Sequence, residues 1–241
     1  MSVPAPQIGF DRFIQHDWVA AVVAVRQGAM PLATLHDMLQ ASGLGKEALS
    51  KTLTKLNGLG LAPRDDLADF VERGCAIVGR DEDRDRLAAY AWGVAIAAYS
   101  FFGRVAEFVG RLTMLQGDCS SAEIHRRMSE VYGDRQVTKR ATQAVLQTQS
   151  SWGGVQRVEG GRRVVRLPPK DVDDDTLTAW LIEAALRYMG KAVPVQSIQS
   201  LPVLFPFNFT RPLTYVVSRA PQLVLRSEGP SSQYAALRES V

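Results

Sequence analysis

Cysteine and histidine are scarce in this chain of 241 residues: Cys75 and Cys119 are the only thiols, and His16, His36 and His125 the only imidazoles. Two cysteines far apart in sequence form no disulfide framework and fit a reducing, cytoplasmic setting. No histidine has a cysteine or carboxylate partner at metal-ligand spacing, so neither a metal centre nor a cofactor is expected. His125, between Glu123 and Arg126, suits an exposed position or a phosphate contact better than catalysis. A nucleophile elbow is missing. Gly43-Leu44-Gly45-Lys46 has the ending of a phosphate-binding loop, but Gln40 stands where an earlier glycine is required, and a helical pattern precedes it instead of an apolar strand. Asp173, Asp174 and Asp175 are consecutive, so their carboxylates diverge, and a linker accounts for them better than a cation site. An enzyme is not expected.

Long apolar runs are lacking as well. Leu87 to Phe102 has sixteen residues without a charge, but a membrane helix needs about 20. The run contains Gly93 and Ser100 and is flanked by Arg86 and Arg104. A helix apolar on every side is also what the centre of a helical domain requires, so a buried central helix is expected and no membrane partner. Met1 to Phe10 has neither the basic start nor the apolar core of a signal peptide. Hydrophobic and charged contents of 46% and 22% are ordinary for a globular protein, and the length allows one or two domains.

What is present is concentrated between Ser120 and Arg166. Ser120-Ser121-Ala122-Glu123 is a capping box, in which a hydroxyl and a carboxylate satisfy free N–H groups at a helix start. Ala122, Ile124, Met128 and Val131 follow at helical spacing until Tyr132-Gly133-Asp134 breaks the run. Thr138 opens a second helix through Ser151, with Ala141, Ala144, Val145 and Thr148 inward, and Trp152-Gly153-Gly154 ends it. Val155–Glu159 and Arg162–Leu167 then read as two strands joined by Gly160-Gly161.

The same segment holds the charge. Its nine basic residues face four acids, a surplus of five where the whole chain has +3. Neutralising phosphates releases counterions and supplies most sequence-independent affinity for DNA. Arg126, Arg127, Arg135, Arg157, Arg162 and Arg163 are the expected phosphate ligands, with Gln136 beside them. Lys139, Arg140, Gln143 and Gln147 are expected nearest the bases, because glutamine can pair bidentately with adenine and Lys139, Gln143 and Gln147 share one helical row.

Before this segment, Phe10–Arg26 reads as a helix, Pro31 starts a second with Leu32, Leu35, Met38 and Leu39 inward, and Lys46–Asn57 makes a third with Leu49, Leu53 and Leu56 inward. Lys46, Ser50, Lys51, Thr54 and Lys55 are expected on the outer face of that third helix, either as a phosphate-facing surface or as an ordinary solvated one. Leu67–Arg73 is another helix. Asp81–Arg86 is a charged first turn, and Val105–Leu115 is a helix beyond a break at Phe101-Phe102-Gly103.

After it, Leu177–Met189 is amphipathic and could supply a dimer helix. Val195–Leu201 and Leu213–Arg219 read as short helices and Gln222–Arg226 as a strand before Gly229-Pro230, a degenerate third helix-turn-helix. Phe205, Phe207 and Phe209 alternate, which favours core packing over a base-stacking platform or a docking surface.

Ser120–Arg166 resembles the winged helix-turn-helix superfamily, and Pro31–Leu61 looks like its wingless core, as found in many bacterial regulators. The outline is similar to the small DNA-binding accessory proteins of BREX phage-defence loci. The resemblance implies a mainly α fold with small β-hairpin wings: two or three helix-turn-helix or winged-helix units in tandem around a buried central helix. The expected units are 10–80, 81–118 (connecting helices), 119–170 (the winged helix) and 171–241. It implies a cytoplasmic, bacterial protein that binds double-stranded DNA in regulation or antiviral defence, with protein partners or a homodimer as further options. The alternative is a protein–protein adaptor built from winged helices, with the aromatic loop as its docking surface.

Overall fold

The computed structural model describes residues 6–79, 83–227 and 232–238. The chain is mainly helical, with small sheets at two places and one short parallel strand pair. The expected tail Met1–Gly9 and the charged run Asp81–Arg86 lie partly outside the described residues, as does Gly229-Pro230.

The first helix begins later than its apolar pattern predicts. It spans His16–Arg26 (α1), while Phe10 and Ile14 lie outside it, non-helical and fully buried. The cause is tertiary: the Ile14 and His16 N–H groups donate to the Thr148 and Ser151 hydroxyls, at 3.0 and 3.1 Å, instead of entering a helix. Leu32–Ala41 (α2) follows Pro31, and Lys46–Leu56 (α3) follows a turn in which Gly43 has φ +76°. Leu35, Leu39 and Leu56 are fully buried, whereas Leu32 is exposed. A wide turn over Asn57–Leu61 buries Leu59 and leads to Ala68–Val78 (α4).

Arg84–Ala98 (α5) is capped by Asp83, whose carboxylate accepts from the Asp85 and Arg86 N–H groups at 2.9 and 3.2 Å. It is buried from Leu87 to Ile96, as a central helix should be. The break after it falls at Tyr99, not at Phe101-Phe102-Gly103, and Ser100–Gln116 (α6) runs straight through Gly103. Tyr99 turns extended because its hydroxyl donates to Lys55 O (3.2 Å) and its ring packs edge-on to Phe10 (5.2 Å). Gly103 is small for packing rather than for breaking, since the Tyr188 ring fills the space where a Cβ would stand.

Three strands and two helices come next: Asp118–Ser120 (β1), Ser121–Tyr132 (α7), Gln136–Ser151 (α8), Val155–Val158 (β2) and Arg163–Arg166 (β3). The sheet order is β1-β3-β2, all antiparallel, with Val158 opposite Arg163. Lys170–Val172 (β4), which overlaps the start of the acidic stretch Asp171–Asp175 expected as a linker and helix start, pairs in parallel with Phe207–Phe209 (β6). Asp175–Met189 (α9) leads to Val193–Pro194 (β5), 3-10 turns over Val195–Ser200 and Pro202–Leu204, Leu213–Arg219 (α10), Leu223–Ser227 (β7) and Gln233–Leu237 (β8). Their sheet order is β5-β8-β7. Both stretches, α6 to β3 and α9 to β8, run helix, strand, helical segment, helix and two antiparallel strands, with the first strand paired to the last. The helical segment is α7 in the first, but two 3-10 turns followed by β6 in the second.

One continuous buried cluster unites these parts. Trp180 of α9 stacks on Phe70 with centroids 4.4 Å apart, lies 5.8 Å from Tyr90, and donates its indole N–H to Phe70 O at 2.9 Å. Glu183, 2% exposed, is held by Arg73 and Arg187. Burial of α9 within the chain removes it as a dimer helix. Phe205 and Phe207 pack edge-on to Trp92, at 5.3 and 6.2 Å, and Phe209 is buried too. The aromatic loop is core, so it cannot be the docking surface of an adaptor. Among the described residues no helix is long and apolar enough to cross a membrane.

Candidate nucleic-acid interface

The α7–α8 pair is built much as its spacing dictates. The Ser120 hydroxyl accepts from the Glu123 N–H at 3.1 Å, which is one half of the capping box. The Glu123 carboxylate goes elsewhere, to Arg126 and Arg127 at 2.8 Å each, and those two guanidinium groups pull its pKa down to about 2. Ile124, Met128 and Tyr132 form the inner face with Ser121. Ala122 and Val131 are exposed instead, because they stand about one residue off the row that packs.

α8 starts at Gln136, earlier than expected, because buried Thr138 donates its hydroxyl to Gly133 O (2.9 Å) and ties the turn beneath the first helical residues. Ala141, Ala144, Val145 and Thr148 are buried. Gln136, Lys139 and Arg140 are exposed on the opposite side. No side chain caps this helix start, so its first N–H groups stay available to an anion.

The cations divide into two groups. Arg126 pairs with Glu123 and Glu130, Arg127 with Glu123, Arg163 with Asp118 at 2.5 Å, and Lys139 with Asp134 at 3.3 Å. Arg135, Arg140 and Arg162 have no carboxylate partner among the described residues, and Arg162 only folds onto its own loop carbonyl at Glu159 (3.2 Å). Arg157 is half-buried with an unpartnered Nε, and burial lowers its pKa. His125 lies near Arg157 and Lys139, and its pKa is lowered by burial first and then by those two cations. Exposed ion pairs contribute little, so a phosphate can replace most of the carboxylates at small cost.

On α3, Lys46 is exposed and Lys51 pairs with Glu47 at 2.5 Å. Lys55 is not on the outer face. Its side chain is 14% exposed and reaches Asp11 at 3.3 Å, because the N-terminal segment covers that side of α3.

A feature that the sequence reading missed is a cleft of about 580 Å³ between α3 and α8. Gln136, Lys139, Arg140, Gln143 and Gln147 line one wall, and Ala48 and Thr52 the other. Phe13 and Trp18, with ring centroids 6.3 Å apart, also line it. Helical spacing does put Gln143 and Gln147 on the row of Lys139, but nothing local indicates that another helix stands opposite them. Comparison with protein-family models, characterised proteins and solved structures finds no match to this chain.

Proposed function

We propose that this protein binds double-stranded DNA through a winged helix formed by α6, β1, α7, α8, β2 and β3. The N-terminal end of α8 meets the major groove, and the β2–β3 hairpin is its wing. The observation that carries this reading is the uncapped α8 N-terminus, where Arg135, Lys139 and Arg140 are exposed, together with exposed Arg162 in the β2–β3 turn, which sits against the start of α7. Side chains at that end of the second helix are the ones that reach base edges and flanking phosphates in helix-turn-helix proteins. Arg126, Arg127 and Arg163 join by exchanging carboxylates for phosphates. Lys46 and Lys51 extend the footprint from the wingless α1–α3 unit. The strand–helix–hairpin order from β5 to β8 supports reading the chain as a tandem of such units around the buried α5. A regulatory or phage-defence accessory role fits this architecture.

Anisotropy titration of the full chain on a random duplex is the test. Affinity falls steeply with salt as several phosphates are neutralised. Arg162→Ala with Arg163→Ala weakens binding whatever the DNA sequence. Binding equal to the parent's would refute the wing assignment.

The protein–protein adaptor reading has one observation in its favour. Leu115 is 89% exposed and Met114 50%, both in the last turn of α6. Undetectable or salt-insensitive DNA binding, together with a co-purifying partner lost on Leu115→Ser, would select it.

A further inference from the structure

The α3–α8 cleft is too small for a duplex, and its lining combines a largely apolar surface with glutamine, lysine and arginine side chains. We propose that it seats an unpaired stretch of a nucleic-acid strand, so that the protein prefers a duplex that adjoins a single strand over a blunt one. This inference rests on the DNA-binding reading and names a substrate class for it.

A helix reads a duplex by protruding into a groove about 12 Å wide. Gln143 is half-buried and Gln147 exposed, and both line a cleft shared with Ala48 and Thr52 of α3 and with Phe13, so α3 stands beside the row that would have to enter a groove. A volume of about 580 Å³ is in the range of small-molecule sites, roughly 300–1,000 Å³, and suits one or two nucleotides.

The lining matches what a separated strand presents. Unpaired bases expose donors and acceptors on edges that a duplex hides, and a glutamine amide offers both. Phe13 is a partly exposed ring in the same lining, and base–aromatic stacking tolerates any sequence. Arg12, Lys139 and Arg140 supply positive charge for the flanking phosphates. The one lining carboxylate, Asp11, is paired with Lys55 at 3.3 Å, although its buried Oδ1 accepts no hydrogen bond among the described residues. Arg12 and His125, which also line the cleft, each have a buried side-chain nitrogen with no hydrogen-bond partner among the described residues. Charge and hydrogen-bonding capacity therefore both point to a polyanion carrying polar bases.

The test compares three DNAs by anisotropy on the full chain at one salt concentration: a blunt hairpin, the same hairpin with a short oligo-dT overhang, and the overhang strand alone. The overhang tightens binding about tenfold, the scale of one well-stacked base. In Gln143→Ala/Gln147→Ala the overhang-to-blunt ratio falls toward one, and Phe13→Leu lowers it further, with thermal unfolding as the folding control. Arg162→Ala/Arg163→Ala weakens both DNAs and leaves the ratio near the parent's. Equal affinity for blunt and overhang DNA, or a ratio that survives the glutamine variant, overturns the proposal while duplex binding stands. The cleft then falls to a peptide segment of a partner. Failure to bind any of the three DNAs overturns both readings.

Discussion

Arg163 of β3 lies 2.5 Å from the Asp118 carboxylate of β1, so one cation of the hairpin is neutralised by the strand beside it. The pair joins the ends of the β1–β3 ladder, where Ser120 stands opposite Arg163 and Asp118 opposite Val165. Asp118→Asn leaves that guanidinium with only the more distant Glu159 carboxylate among the described residues, 3.9 Å away. Affinity for random duplex is expected to rise about threefold, with a salt slope steeper by about one. Unchanged affinity and slope would mean that Arg163 faces no phosphate.

Lys139 and Arg140 stand at the α8 N-terminus, the former 3.3 Å from Asp134 and the latter with no carboxylate partner among the described residues. Lys139→Ala/Arg140→Ala is expected to cut duplex affinity at least tenfold and reduce the salt slope by about two. Lys55→Ala should leave the slope unchanged, because that lysine is covered and paired with Asp11. Equal losses in the two variants would show that charge is read without regard to position.

His16 is buried, its Nε2 is 3.2 Å from Arg84 O, and its pKa is lowered by burial and then by Arg84. The folded state thus binds the imidazole proton more weakly than the unfolded chain, whose value is about 6.5. Stability from this group is complete above that value and is lost as pH falls through the lowered folded value. The urea midpoint should drop between pH 7 and pH 5, and drop less in His16→Gln. Parallel curves for the two proteins would refute the assignment.

Gly93 and Gly74 leave the space that the Trp180 indole occupies. Gly93→Ala drives a methyl into that ring and should cost about 1–3 kcal/mol, the range for overpacked cores. Trp180→Phe in the same chain should recover part of the loss, measured by a double-mutant cycle in urea. Purely additive effects would deny that the two positions meet.

Cys75 is buried, and its thiol pKa is raised by that burial. Cys119 is pushed up to about 11, by burial first and Asp118 second. Both thiols should react with a disulfide reagent at pH 8 far more slowly than free cysteine, and at the free rate in denaturant. Fast reaction of the folded protein would contradict the packing around β1.

Much of the central unit was legible because its signals are local. A hydroxyl and a glutamate three residues apart mark the start of α7, and Gly153-Gly154 and Gly160-Gly161 mark the hairpin, whatever surrounds them. The errors have long-range causes. Phe10–Ile14 carries a helical pattern yet stays non-helical, because α8 hydroxyls take the N–H groups of Ile14 and of His16 just beyond it. Gly103 looked like a breaker until Tyr188 was found in its space. β4 and β5 are too short to show a period, and each needs a partner distant in sequence to form at all.

Read alone, the order of residues established where turns and helix starts fall, which stripes are apolar, and that positive charge gathers between Arg126 and Arg166. Those properties depend on neighbours within a few positions. Tertiary contact decided which arginines keep their charge free, that Lys55 is covered, that the phenylalanine loop is interior, and that α3 stands across a cleft from α8. Each of these depends on groups brought together from far apart in the chain, and no local periodicity carries that information.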